Sequence, residues 1–201
     1  MPTRLSGGLQ GVFAGAGALV IQTEGCLPFF PAVYNEDWLF LYHWLARDAV
    51  LDAGEVRQIP YDPFADPERA AREEFGDILG EGLFQPCTIA GQRGRRPGAA
   101  YWAAFQDRRH MLIDRIERRL EGVERSGNVW AVRRSAGRGA GCRSEAIRPE
   151  SLAEYVDAWR GDLHAWNGRL ARLPRLGSLL EALDYLGLSG HVIDSRAART
   201  A

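Results

Sequence analysis

The sequence contains no lysine, so all 25 of its basic residues are arginine. A chain without lysine cannot form a Schiff base with a carbonyl substrate, and it cannot build a phosphate-binding loop that depends on a lysine. These two kinds of active site are therefore excluded. The exclusive use of arginine is typical of GC-rich bacterial genomes.

Cysteine and long hydrophobic runs are also scarce. Cys26, Cys87 and Cys142 are odd in number and far apart, which argues against a disulfide framework or a CxxC metal site, and we interpret them as free thiols. The longest smooth apolar run, residues 14–21, is far shorter than the roughly 18 residues of a membrane span. It also lacks the charged head of a signal peptide. We expect no membrane span and a cytoplasmic location.

Acidic and basic residues are nearly equal in number, and the net charge is −1. The two signs are nevertheless separated along the chain. Residues 24–81 hold 13 acids and 4 arginines, whereas residues 93–148 hold 14 arginines and 6 acids. We expect these two stretches to attract each other within the chain. Because the whole chain is not basic, we expect no nucleic-acid partner.

The spacing of apolar residues predicts an α/β segment followed by a mainly helical region. We predict strands within residues 7–23, through the apolar run that ends at Ile21, and over 54–61. We predict helices over 37–50, from Asp66-Pro67 through Leu83, over 99–123, from Pro149 onward and over 176–186. The helix over 99–123 has an apolar stripe and, opposite it, an arginine face, which we interpret as solvated or paired with acids. The stripe is Trp102, Phe105, Leu112, Ile116, Leu120 and Val123, and the arginine face is Arg108, Arg109, Arg115, Arg118 and Arg119. The composition shift near residue 90 divides the chain into segments 1–90 and 91–201.

One segment places adjacent acids among aromatic residues. Residues 28–38 read Pro-Phe-Phe-Pro-Ala-Val-Tyr-Asn-Glu-Asp-Trp. Burying Glu36 and Asp37 there would cost several kcal/mol without a partner, a helix end or a role in proton transfer. The structural alternative is that Asn35 caps a helix and the two acids lie in its first turn, where the helix dipole favours negative charge.

Four features together resemble the acceptor half of GT-A fold glycosyltransferases, particularly family 2-like bacterial enzymes. They are Gly7-Gly8, the apolar run ending at Ile21, Pro28-Phe29-Phe30, and the segment from Asn35 to Phe40. The resemblance covers about residues 5 to 85. It implies a partial GT-A-like sheet with helices and transfer of a hexosyl-type sugar from a nucleotide-sugar donor to an acceptor hydroxyl.

The resemblance also implies roles for individual residues. Asp37 would be the catalytic base that takes the proton from the acceptor hydroxyl, and Glu36 would orient it or hydrogen-bond the acceptor. The residues expected to contact substrate are Gly7, Gly8, Tyr34, Asn35 and Trp38. A carboxylate in an aromatic pocket has a raised pKa and is a better base.

The sequence departs from the family in having no Asp-x-Asp motif. A full-length relative would hold Mg²⁺ or Mn²⁺ through that motif, whereas no residue of this chain supports a metal site. The resemblance thus implies an incomplete enzyme that needs a missing N-terminal half or an oligomer. The alternative is a non-enzymatic helical protein-interaction module, with a partner surface formed by the arginine face and by Trp102, Trp130, Trp159 and Trp166.

Overall fold

The computed structural model of the chain describes residues 18–21, 27–47, 49–51, 67–88, 96–120 and 147–189. The α-helices in these ranges are α1 (Glu36–Leu45), α2 (Pro67–Phe84), α3 (Ala99–Leu120), α4 (Pro149–Leu170) and α5 (Leu179–Tyr185). A 3-10 helix, Gln85–Thr88, follows α2, and a second one, Leu173–Arg175, lies between α4 and α5.

The predicted sheet is wrong, because the described ranges contain helices and no β-strand. The α/β fold class and the resemblance to the GT-A fold are wrong with it, since that fold is built on a central sheet. Residues 18–21, the described end of the first predicted strand, have no regular structure, and Val20 is 98% exposed. A short apolar run does not distinguish a strand from other structure. Residues 54–61 lie outside the described residues.

The helices that begin at proline follow the sequence prediction closely. Pro67 and Pro149 are the first residues of α2 and α4, where a fixed φ and a missing N–H cost nothing. The helix predicted over 37–50 ends earlier, at Leu45. In α5, Ser178 caps the helix by accepting from the backbone N–H of Glu181 at 3.1 Å, as expected for a capping serine.

One hydrophobic core joins α1, α2, α3 and α4. Its buried members are Leu39, Tyr42, Ile78, Leu79, Leu83, Cys87, Trp102, Phe105, Leu152, Val156 and Trp159. Burying each large apolar side chain contributes about 1.5–3 kcal/mol. Residues from both predicted segments, 1–90 and 91–201, enter this core. The division into two segments stays a prediction.

Glycines in α2 let its neighbours approach closely. A methyl group added at Gly76 would overlap the backbone of Tyr34, and one added at Gly82 would overlap the fully buried indole of Trp102. Tyr101 of α3 also donates its hydroxyl to the carbonyl oxygen of Gly82 at 2.6 Å. The segment before α1 and the start of α3 therefore pack directly on the α2 backbone.

The buried face of α3 differs from the predicted stripe in its second half. Trp102 and Phe105 are buried as predicted, but Leu112 is 43% exposed and Ile113 is buried instead. Arg109, assigned by the sequence to the outer arginine face, points inward toward α2. Residues 102, 105, 109 and 113 share one helix face at spacings of three and four.

Candidate functional site

The acids of the predicted sugar site stand at the start of α1. Asn35 has a left-handed backbone, with φ 62°, and its side-chain Nδ2 donates to Oδ1 of Asp77 on α2 at 2.9 Å. Asp37 is partly buried, and its Oδ1 accepts from the backbone N–H of Trp38 at 2.9 Å. Glu36 is exposed. These positions agree with acids in a first turn, where the helix dipole favours them.

The other predicted substrate residues take part in packing where they are described. Trp38 lies against Gly80 of α2 and packs on Phe84, with ring centroids 5.5 Å apart. The side chain of Tyr34 is 39% exposed, while its backbone carbonyl lies over Gly76. Gly7 and Gly8 lie outside the described residues. Catalysis by Asp37 and Glu36, and substrate binding by the other residues, stay predictions.

A charged cluster lies between α2 and α3. Glu74, Asp77 and Glu81 share one side of α2, and Arg109 of α3 lies against them. Its Nε and Nη2 donate to the two carboxylate oxygens of Glu74 at 3.0 and 3.2 Å, and its Nη1 pairs with Glu81. The Glu74 side chain is only 3% exposed. Glu74 and Glu81 belong to the acidic stretch 24–81, and Arg109 belongs to the basic stretch 93–148. Their ion pairs are contacts of the kind predicted from the charges of the two stretches.

Burial and neighbouring opposite charges shift the pKa in opposite directions, both for Asp77 and for Arg109. Burial raises the pKa of Asp77 to about 6, although the hydrogen bond from Asn35 and the charge of Arg109 act to lower it. Burial also disfavours the charged Arg109, but Glu81 and Glu74 outweigh it and hold the pKa of Arg109 above its ordinary value. Within the described ranges, no group of three or more His, Cys, Asp or Glu residues could hold a metal ion.

A cavity of about 360 Å³ lies between α1 and α4, and we call it the α1–α4 cavity. Its apolar lining consists of Pro28, Leu39, Ala46, Trp159 and Leu163. The segment that contributes Pro28 is held in place by Trp166, whose Nε1 donates to the carbonyl oxygen of Leu27 at 2.7 Å. The rings of Tyr42 and Trp159 meet edge to face, with centroids 5.8 Å apart. Helix packing therefore forms the cavity without help from a ligand.

The polar lining of the α1–α4 cavity consists of Tyr42, His43, Arg47, Arg160 and Asn167. Arg47 stands one turn after His43, and its Nη1 lies 2.6 Å from His43 Nε2 and 3.0 Å from the His43 carbonyl oxygen. Because a guanidinium only donates, Nε2 is the acceptor, which assigns the neutral ring with its hydrogen on Nδ1. The guanidinium of Arg160 lies close enough to Tyr42 to act on the pKa of its phenol.

The electrostatics of the cavity keep its histidine and its tyrosine neutral. Burial and the charge of Arg47 lower the pKa of His43. Burial raises the pKa of Tyr42, with a smaller contribution from Cys87, while Arg160 acts to lower it. At neutral pH the cavity therefore combines an uncharged imidazole and an uncharged phenol with two guanidinium groups. No aspartate or glutamate belongs to its lining as the structure describes it.

Sequence reasoning missed Arg47, Arg160 and Asn167 as lining residues of a cavity. A signal was present in part, since Arg47 follows His43 by four residues, and Arg160 follows Trp159 within the apolar stripe of α4. What the sequence could not indicate is that α1 and α4, more than 100 residues apart in the chain, face each other.

Comparisons of the chain with protein-family models, with curated proteins and with solved structures found no match. The glycosyltransferase resemblance therefore has no support from relatives as well as none from the fold. Sugar transfer, which followed from that resemblance, stays a prediction. Among the helices as described, none is both long and apolar enough to cross a membrane.

Proposed function

We propose that this chain is a non-enzymatic helical binding module and that the α1–α4 cavity is its binding site. The observation that carries the proposal is a cavity of about 360 Å³ with an apolar floor and a few convergent polar groups. Ligand-binding sites in proteins have this composition and begin at about 300 Å³. The cytoplasmic location expected from the sequence is part of the same proposal.

The walls of the cavity support binding because part of them belongs to the hydrophobic core. Leu39 and Trp159 are 1% and 4% exposed and are members of the hydrophobic core. A site whose walls are fixed by core packing loses little conformational entropy when a ligand binds. The charged cluster at Arg109 supports a binding role less well, because its carboxylates and its guanidinium already satisfy one another.

A neutral fluorescent probe tests whether the cavity binds ligands. We expect N-phenyl-1-naphthylamine to bind saturably, with enhanced and blue-shifted emission, because it is apolar and small. Ala46→Phe places a ring in the cavity and should weaken this binding at least about tenfold, the loss of roughly 1.4 kcal/mol. Asn167→Phe fills the other side and should do the same.

The matched control is Ala158→Phe, since Ala158 is exposed on α4 and does not belong to the cavity lining. It should leave probe binding unchanged. Thermal unfolding followed by circular dichroism verifies that each variant is folded. Absence of saturable binding, or equal binding by folded Ala46→Phe, Asn167→Phe and Ala158→Phe proteins, would contradict the proposal.

A further inference from the structure

We infer that the ligand of the α1–α4 cavity is a small amphipathic carboxylate, with its anionic head at Arg47 and Arg160 and its apolar body on the floor. This inference rests on the proposed binding function. It adds the charge and the chemical class of the ligand, which the volume of a cavity does not determine.

The two arginines of the lining indicate that the ligand is negatively charged. Neither Arg47 nor Arg160 forms an ion pair with a carboxylate of the described residues, whereas Arg96 pairs with Asp157 and Arg109 pairs with Glu74. The carboxylate of Asp157, one turn before Arg160 on α4, lies outside the lining; it is hydrogen-bonded to Arg96 and also interacts electrostatically with Arg160. The cavity thus holds two positive charges that no lining carboxylate offsets, and it attracts an anion.

The hydrogen-bonding groups of the lining suit a carboxylate head. A guanidinium presents several N–H donors in a planar fork that matches the two oxygens of a carboxylate. Tyr42 adds a phenolic hydroxyl to the lining, and a hydroxyl can donate to the second oxygen of the head. The raised pKa of Tyr42 keeps that hydrogen in place at neutral pH.

The lining and the volume of the cavity indicate that the rest of the ligand is apolar and small. Leu39, Ala46 and Leu163 supply aliphatic surface, and Trp159 supplies an aromatic surface beside it. A volume of about 360 Å³ lies in the range of small-molecule sites. A small molecule such as octanoate fits this space, whereas a folded partner domain does not.

Displacement of N-phenyl-1-naphthylamine by three eight-carbon compounds tests the inference. Octanoate, octanol and octylamine share one apolar body and differ in the charge of the head. We expect octanoate to displace the probe at an at least about tenfold lower concentration than octanol, which corresponds to one charge-assisted hydrogen bond. Octylamine should be the weakest competitor, because the two arginines repel it.

Replacing Arg160, with Arg169 as the control position, separates the effect of the charge from a general loss of binding. Arg160→Gln should lower the preference for octanoate over octanol, because only Arg47 then faces the anionic head. Arg169→Gln, on the same helix but outside the cavity lining, should retain the preference. The carboxylate could instead belong to the C-terminus of a polypeptide, and a trileucine peptide with a free carboxyl end tests this. We expect the peptide to displace the probe less well than octanoate.

The outcomes distinguish the two proposals. If the probe binds in the cavity but octanoate is no better than octanol, the inference fails and the binding function stands. Equal preference for octanoate in the Arg160→Gln and Arg169→Gln proteins would also overturn it, as would displacement by the peptide at lower concentrations than octanoate. If the probe itself does not bind, the binding function fails first.

Discussion

Asp77 is a buried acid whose pKa lies well above the ordinary value of an aspartate. It faces the amide of Asn35, the guanidinium of Arg109 and the carboxylates of Glu74 and Glu81. One positive charge therefore serves three carboxylates that are close together. Burial is the main reason that the pKa of Asp77 rises from 3.8 to about 6, and the charges of Glu74 and Glu81 raise it further.

This pKa predicts how stability depends on pH. A carboxyl group whose pKa is higher in the folded than in the unfolded chain binds its proton more tightly when folded. Its contribution to the free energy of unfolding is therefore fully present below about pH 4 and is lost as the pH rises to about 6. A shift of this size corresponds to up to about 3 kcal/mol.

Asp77→Asn should remove this loss, because the amide carries no charge and can still accept from Asn35. We expect the variant to gain stability relative to the parent protein, by up to about 3 kcal/mol, as the pH rises from 4 to 6.5. Urea unfolding at a series of pH values measures the difference. Asp114→Asn, at an exposed position of α3, is the control and should show no such trend. A constant difference for Asp77→Asn would refute the prediction.

At the scale of the helices, three glycines of α2 determine how closely neighbouring elements pack on it. Gly76, Gly80 and Gly82 each lie where a side chain would overlap Tyr34, Trp38 or Trp102. Glycine lowers helix propensity by about 1 kcal/mol relative to alanine, so its presence at three positions of one helix is favourable only because neighbouring elements pack against the exposed backbone.

Gly82→Ala should therefore destabilise the protein despite its better helix propensity. The new methyl group meets Trp102, which is 0% exposed and cannot move aside, and such overpacking costs about 1–3 kcal/mol. Gly161→Ala on α4 is the matched control, because nothing lies within 4 Å of the added carbon. It should raise stability by roughly 0.5–1 kcal/mol. Thermal unfolding distinguishes the two, and similar melting temperatures would be inconsistent with the packing described.

At the scale of the whole molecule, the core crosses the boundary that the sequence suggested at residue 90. Leu79 of α2 and Leu152 of α4 are both 0% exposed and belong to the same cluster. Residues that share one core unfold together in small proteins. The arrangement therefore predicts a single cooperative transition for the helices that surround it.

Leu79→Ala and Leu152→Ala should each lower the free energy of unfolding by about 2–5 kcal/mol, because each leaves a cavity in the core. In both variants, the transitions followed by circular dichroism and by tryptophan fluorescence should remain superimposed. Leu180→Ala, where the side chain is 70% exposed, should change stability by less than about 0.5 kcal/mol. Two separate transitions, one for each side of residue 90, would contradict the shared core.

Local signals in the sequence determined the helices well. Proline at the first position indicated where α2 and α4 begin, and apolar residues at helical spacing indicated which face of α2 is buried. These features act within one or two turns, so they can be read without knowing the fold. The same local reasoning failed for residues 18–21, the described end of the first predicted strand, because a strand depends on a distant partner for its backbone hydrogen bonds.

The sequence by itself thus determined where the α-helices of the described residues lie, the absence of lysine chemistry and the attraction between an acidic and a basic stretch. Only the tertiary structure decided which charges meet and where a ligand can bind. Arg109 pairs with Glu74 across 35 positions of the chain, and the α1–α4 cavity joins residues near 43 to residues near 160. Such contacts follow from how the helices pack in three dimensions, and no periodicity along the chain encodes them.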